Sequence, residues 1–306
     1  MTFSFVFREM CSIFATKEKE MAKKKKLTVK GEPKIVTEIR DKILNSFSGL
    51  IFEEGPHKYY LDGVELPSVT TVTHKFQTET DFNEVAINYA EKNGFTAQYW
   101  LDKWKFNNLR ATTTGTCVHE YGESLGWLRN GHPELITPNN RCKYVEERGW
   151  LIPTRPKEEA VLKFYDEFPE NLHFVLAETK VYANKTDDEK YQVVNQFAGT
   201  FDLLCYYQDP EDDSKSGLVI LDWKTNKALM DDYSRTNGKY LLEPFQNMYD
   251  ENLSLYTLQL SMYALCLRNI GLDVKGCRLI WLKEDGTYEL VKVKDLSQEE
   301  WFIKAF

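Results

Sequence analysis

Gly199-Thr-Phe-Asp202 and Leu221-Asp-Trp-Lys224, separated by the acidic, serine-containing loop 208–216, are the stretches whose reading decides the fold. Each is a short apolar run that carries a carboxylate, and the second places a lysine two residues after its acid. On a strand, residues i and i+2 share a face, so a strand over 217–224 projects Asp222 and Lys224 together. A partner strand over 192–207 brings Asp202 to the same spot. Two carboxylates and a lysine on otherwise apolar neighbouring strands are costly unless they are compensated. An Asp–Lys ion pair at a sheet end is one resolution. A divalent cation held by the carboxylates, with the lysine serving an attacking water or a developing phosphate charge, is the other.

Working outward, a strand is expected over 173–183, carrying Glu178, and a helix over 253–270, stopped by Gly271. Gln259 and Tyr263 are four apart on that helix and share a face. A terminal hairpin of strands 276–283 and 287–293 turns at Asp285-Gly286, and a last helix follows Ser297. Upstream, 34–48 has helical apolar spacing. Residues 57–66 form a hairpin around Asp62-Gly63, and Ser68 caps a helix. Two or three helices are expected over 81–93, 95–109 and about 114–129, the last stretch opening with Gly115-Thr-Cys-Val-His119-Glu120. Residues 131–154 read as loop, 156–168 as helix, and 225–251 as loop with a short helix. The class is α/β, with one domain over 27–306: a mainly helical portion, 27–170, and a sheet-bearing portion, 171–306. Residues 1–26 are expected to be a loose extension, with Met21 preceding the lysine run Lys23–Lys26.

The ordered set Gly-x-x-x-His-Glu at 115–120, Glu178, Gly-x-x-Asp at 199–202, Asp-x-Lys at 222–224 and Gln-x-x-x-Tyr at 259–263 resembles the RecB-type branch of the PD-(D/E)XK nucleases. Bacteriophage exonucleases and the mitochondrial genome-maintenance exonuclease are similar. The resemblance spans about residues 115 to 265. It implies a restriction-endonuclease-like core, a central mixed sheet flanked by helices. It also implies metal ligation by His119, Asp202, Asp222 and the backbone carbonyl of Trp223. Glu178 joins that shell or holds a metal-bound water, unless it is a plain surface glutamate. Glu120 orients His119 or caps locally. Lys224 orients or deprotonates the attacking water, or neutralises the transition state. Gln259 and Tyr263 border the site, and Thr225 and Arg110 meet the nucleic acid. Thr200 beside the first acid is a weaker phosphate contact.

The implied cofactor is Mg²⁺ or Mn²⁺, imidazole favouring Mn²⁺. The implied partner is DNA, single-stranded or with free ends, together with a recombination or replication protein. The implied activity is exonucleolytic hydrolysis leaving 5′-phosphates, in the cytoplasm of a bacterial or phage-infected cell. A structure-selective flap or end-trimming endonuclease fits the same motifs. So does a non-catalytic DNA-binding protein, though intact Asp202, Asp222 and Lys224 argue against it.

Composition narrows the classes. A formal net charge of −8 excludes a protein that coats nucleic acid by bulk charge. The excess is uneven, because residues 1–50 carry 11 Lys/Arg against 6 Asp/Glu. The six cysteines have no close-spaced pairs, so neither a zinc ribbon nor a disulfide framework is expected. The C-terminal cysteine group of cluster-bearing relatives is missing, so no iron–sulfur cluster is expected. No apolar run reaches membrane-spanning length.

Overall fold

A computed structural model describes residues 32–133, 154–187 and 192–306 of the 306-residue chain. The extension expected over 1–26, and nearly all of the loop expected over 131–154, fall outside the described residues. The chain opens with α1 (Lys34–Ser46), followed by β1 (Leu50–Glu53), β2 (Lys58–Leu61) and β3 (Val64–Leu66). Then come α2 (Val69–His74), α3 (Phe82–Asn93), α4 (Ala97–Arg129) and α5 (Arg155–Asp166). The second half runs β4 (Leu172–Asp187), β5 (Gln192–Tyr207), β6 (Gly217–Lys224), α6 (Asp232–Asn237), α7 (Asn252–Asn269), β7 (Val274–Leu282), β8 (Tyr288–Val293) and α8 (Glu300–Ala305).

The centre is a five-stranded mixed sheet in the order β4-β5-β6-β7-β8. Its only parallel pair is β6–β7, as the helical crossover α7 between them requires. A smaller antiparallel sheet, β1-β2-β3, sits beside it. That sheet is fastened to β5 by the Ala198 N–H donating to the Pro67 carbonyl at 3.0 Å and by Ala198 packing with Leu50, Tyr59, Leu61 and Leu66. The molecule is therefore α/β, with a mixed five-stranded sheet flanked by helices.

One apolar cluster runs through both halves of the chain. It joins Val36, Ile39 and Ile43 of α1 and Val118, Tyr121 and Leu125 of α4 to Phe174, Leu203, Ile220 and Leu279 of the sheet and Leu258 and Leu267 of α7. The helical portion therefore shares its core with the sheet rather than enclosing one of its own.

The main departure from the sequence reading is α4. Helices expected over 95–109 and 114–129 are one helix of 33 residues. The β-branched run Thr112-Thr-Thr, which reads as a break, is accommodated by hydroxyls bonding back one turn. Thr112 Oγ1 donates to the Asn108 carbonyl at 3.1 Å, Thr113 to Leu109 at 2.7 Å and Thr114 to Arg110 at 2.8 Å. The lower half of α4 lies against the sheet; a Cβ on Gly122 would stand 2.9 Å from Trp223 Nε1. Its upper half pairs with α3 as a hairpin that is exposed along most of its length.

Candidate metal centre

The site forms where two strands part. The β5–β6 ladder ends at the pair Leu203–Leu221. Beyond it β5 continues along β4, and β6 continues along β7. The Asp202 carboxylate takes over the role of the missing strand partner, and its Oδ2 accepts the Trp223 N–H at 2.8 Å. A strand residue's N–H and C=O leave on the same edge, so the Trp223 carbonyl opens onto this gap as well. Its indole is buried against Phe164 and Tyr165 of α5. Alternation then sends Asp222 and Lys224 to the opposite face, toward α7.

Two groups of side chains result. In the first, His119 of α4 places Nδ1 3.3 Å from Asp202 Oδ2 and 4.0 Å from Glu178 Oε1. One donor atom from each of the three lies within 4.8 Å of the others, which suits a single cation. Glu178 reaches this point through an unusual backbone. Its φ is +44°, a left-handed conformation that a glutamate adopts only at a cost. It lies between the paired residues Ala177–Leu203 and Thr179–Phe201, hence across from Asp202.

In the second group, Asp222 is fully buried and forms an ion pair with Lys224. Among the described residues, neither Asp222 oxygen accepts a hydrogen bond of sound geometry. Buried carboxylate oxygens are rarely left so. The first group, one imidazole and two carboxylates, fits a divalent cation, for which oxygen and imidazole are the usual donors.

The electrostatics describe a site short of positive charge. Burial acts to lower the pKa of His119, but the charge and hydrogen bond of Asp202, helped by Glu178, raise it to about 9. Burial and the nearby Asp202 raise Glu178 to about 8 and Asp222 to about 7. Burial opposes ionisation of Asp202 too, but His119, Lys224 and the Trp223 N–H hold its pKa below the usual carboxylate value. For Lys224 the cost of burial is overcome by Asp222 and Asp202, and its pKa rises.

The sequence reading placed His119, Asp202 and Asp222 around one ion. The structure brings His119 and Asp202 together with Glu178 and leaves Asp222 with Lys224. Glu120 lies outside the grouped donors. Tyr263 is buried and accepts a hydrogen bond from Gln259 Nε2 at 3.2 Å. Its ring also explains the first glycine of the motif, since a Cβ on Gly199 would meet Tyr263 Cε1 at 2.7 Å. Thr225 is half-buried and lies near Gly115 of α4. Thr200 shares a 3.0 Å hydrogen bond with Tyr59 of the small sheet.

Arg110 is exposed. It stands nine residues before His119, about 13 Å along the helix and half a turn around it, so α4 does not bring it to the grouped donors. The sequence reading passed over Tyr256. Lys224 Nζ lies 4.3 Å from its ring centroid, and its position three before Gln259 and seven before Tyr263 could have pointed to it.

No family model matches the chain, and no curated protein matches it either.

Proposed function

We propose that this chain is a metal-dependent deoxyribonuclease of the RecB-type PD-(D/E)XK kind, acting on DNA from free ends. The observation that carries the reading is the buried Asp222, orphaned of hydrogen bonds, with Lys224 at its side and His119, Glu178 and Asp202 grouped across the strand gap. A mixed sheet with helices on both faces is compatible with that core. In this reading His119, Asp202 and Glu178, joined by Asp222 and the Trp223 carbonyl, hold Mg²⁺ or Mn²⁺. The cation supplies a lowered pKa to bound water and polarises the scissile phosphate. Lys224 is near enough to Asp222 to orient the attacking water or to offset charge gathering on the phosphate. Gln259 keeps Tyr263 in place against Gly199, which fixes the stretch of β5 that bears Asp202.

The α3–α4 hairpin supports action on an unpaired strand. Phe95 and Tyr99 are exposed and stacked, with centroids 4.4 Å apart. One turn on, Lys103 Nζ lies 5.7 Å from the Tyr99 ring centroid. Exposed rings with cations beside them are what bases and phosphates use on sequence-tolerant single-strand binders.

The test is incubation of end-labelled linear DNA and covalently closed circles with Mg²⁺, Mn²⁺ or a chelator. Linear DNA is expected to be degraded with either metal, and circles are expected to survive. Cleavage that persists in chelator overturns the metal-dependent reading. Efficient nicking of closed circles replaces it with the endonuclease.

A further inference from the structure

Lys224 is buried with two partners of different kinds. One is the Asp222 carboxylate; the other is the face of Tyr256, with the ammonium well within cation–π range. The ring is itself fixed. Tyr256 Oη donates to Asn226 Oδ1 at 2.8 Å, and the Asn226 carbonyl accepts from Trp281 Nε1 of β7 at 2.7 Å. Tyr256 thus bridges α7 to the loop that leaves β6, two residues beyond the lysine.

We propose that Tyr256 is a positioning residue for Lys224: its ring gives the ammonium a second, uncharged seat that keeps it in place once Asp222 is drawn to a cation. The idea rests on the nuclease reading above, and the chemistry favours it. A cation that takes Asp222 removes the ammonium's counter-charge and repels it as well. A second carboxylate in place of Tyr256 would hold the ammonium but would also compete for the cation. An aromatic face attracts the ammonium through its quadrupole and has no lone-pair oxygen aimed at the metal. The hydroxyl, the one atom of the ring system able to act as a ligand, is committed to Asn226.

The experiment uses the full chain labelled with [ε-¹³C]lysine. The Lys224 resonance is assigned by its loss in Lys224→Arg. In the wild type its ε-methylene signal is expected upfield, under the ring, and is expected to stay there as Mg²⁺ is added. In Tyr256→Leu it should move to the position of the exposed lysines. On single-stranded DNA, Tyr256→Leu should lower kcat at least tenfold while KM stays within twofold. Tyr256→Phe, which keeps the ring, should retain most of the activity. A Lys224 signal that leaves the ring when Mg²⁺ is added overturns the proposal, as does a Tyr256→Leu enzyme that matches the wild type. If Tyr256→Leu does not fold, the Mg²⁺ titration of the wild-type signal decides alone. If the wild type cleaves no DNA with any metal, the nuclease reading fails, and the signal in Mg²⁺ still judges the seat.

Discussion

At the residue scale the site behaves as a store of protons waiting to be displaced. His119, Glu178 and Asp222 hold protons up to about pH 9, 8 and 7 in the folded chain. Their ordinary values are 6.5, 4.5 and 3.8. All three shifts are upward, so above the acid range in which lowered carboxylates such as Asp202 titrate, these groups make the folded state bind more protons than the unfolded state up to about pH 9. Each group's contribution is complete below its unfolded pKa and is lost as pH rises through its folded one. The metal-free protein should therefore lose thermal stability from pH 5 to pH 9. Added Mn²⁺ should raise Tm more at pH 8 than at pH 6, since it must displace protons to bind. A Tm that rises with pH in chelator would contradict this. The Asp222–Lys224 pair gives a second expectation. Asp222→Ala strands a buried ammonium and should cost about 3–5 kcal/mol, measured by urea denaturation. The double change Asp222→Ala, Lys224→Met should recover much of that stability and no cleavage. The pairing of Asp222 with Lys224 was legible because strand alternation gives them one face. Tyr256 was not, since an aromatic on an apolar helix reads as core. The left-handed Glu178 was not either, because nothing in a glutamate's chemistry announces a positive φ.

At the element scale, α4 links the exposed hairpin to the candidate cation site, and its depth against the sheet sets where His119 stands. Gly122 lies three residues beyond His119 on the same side of the helix, over the Trp223 indole. Gly122→Ala should push the helix outward, at a cost of about 1–3 kcal/mol. It should also raise the Mn²⁺ concentration that gives half-maximal stabilisation, because His119 retreats from Asp202. Calorimetric titration checks both, and unchanged Mn²⁺ affinity would show that the helix absorbs the methyl without moving. The strands of the five-stranded sheet were legible as apolar runs, and α7 from its helical stretch and the Gly271 stop. The continuity of α4 was not. A threonine run lowers helix propensity, and only the structure shows the hydroxyls returning to the preceding turn. Strand β1 was missed because Leu50-Ile-Phe-Glu53 is too short to show a period.

At the scale of the whole molecule, the shared core makes the two halves of the chain interdependent. Val36, Ile39 and Ile43 of α1 and Val118 and Leu125 of α4 close over a sheet that residues 171–306 would otherwise leave exposed. A fragment starting at residue 171 should fail to fold, whereas the full chain should unfold in one transition by both near- and far-ultraviolet circular dichroism. Two separated transitions would mean that the halves are independent after all. Among the described residues no helix is long and apolar enough to cross a membrane. Glu178 shows where fold and chemistry pull apart. Its left-handed backbone is a fault that glycine would correct, so Glu178→Gly should melt higher than Glu178→Ala by the strain released, about 1–2 kcal/mol. Both variants lose the same carboxylate, so the gap between them isolates the backbone. Under the proposed nuclease reading, the more durable of the two would still be a poorer catalyst than the strained wild type. A search of variants for heat resistance alone would thus be rewarded for dismantling the candidate centre at position 178, and a screen meant to harden this protein has to read out the proposed DNA cleavage as well.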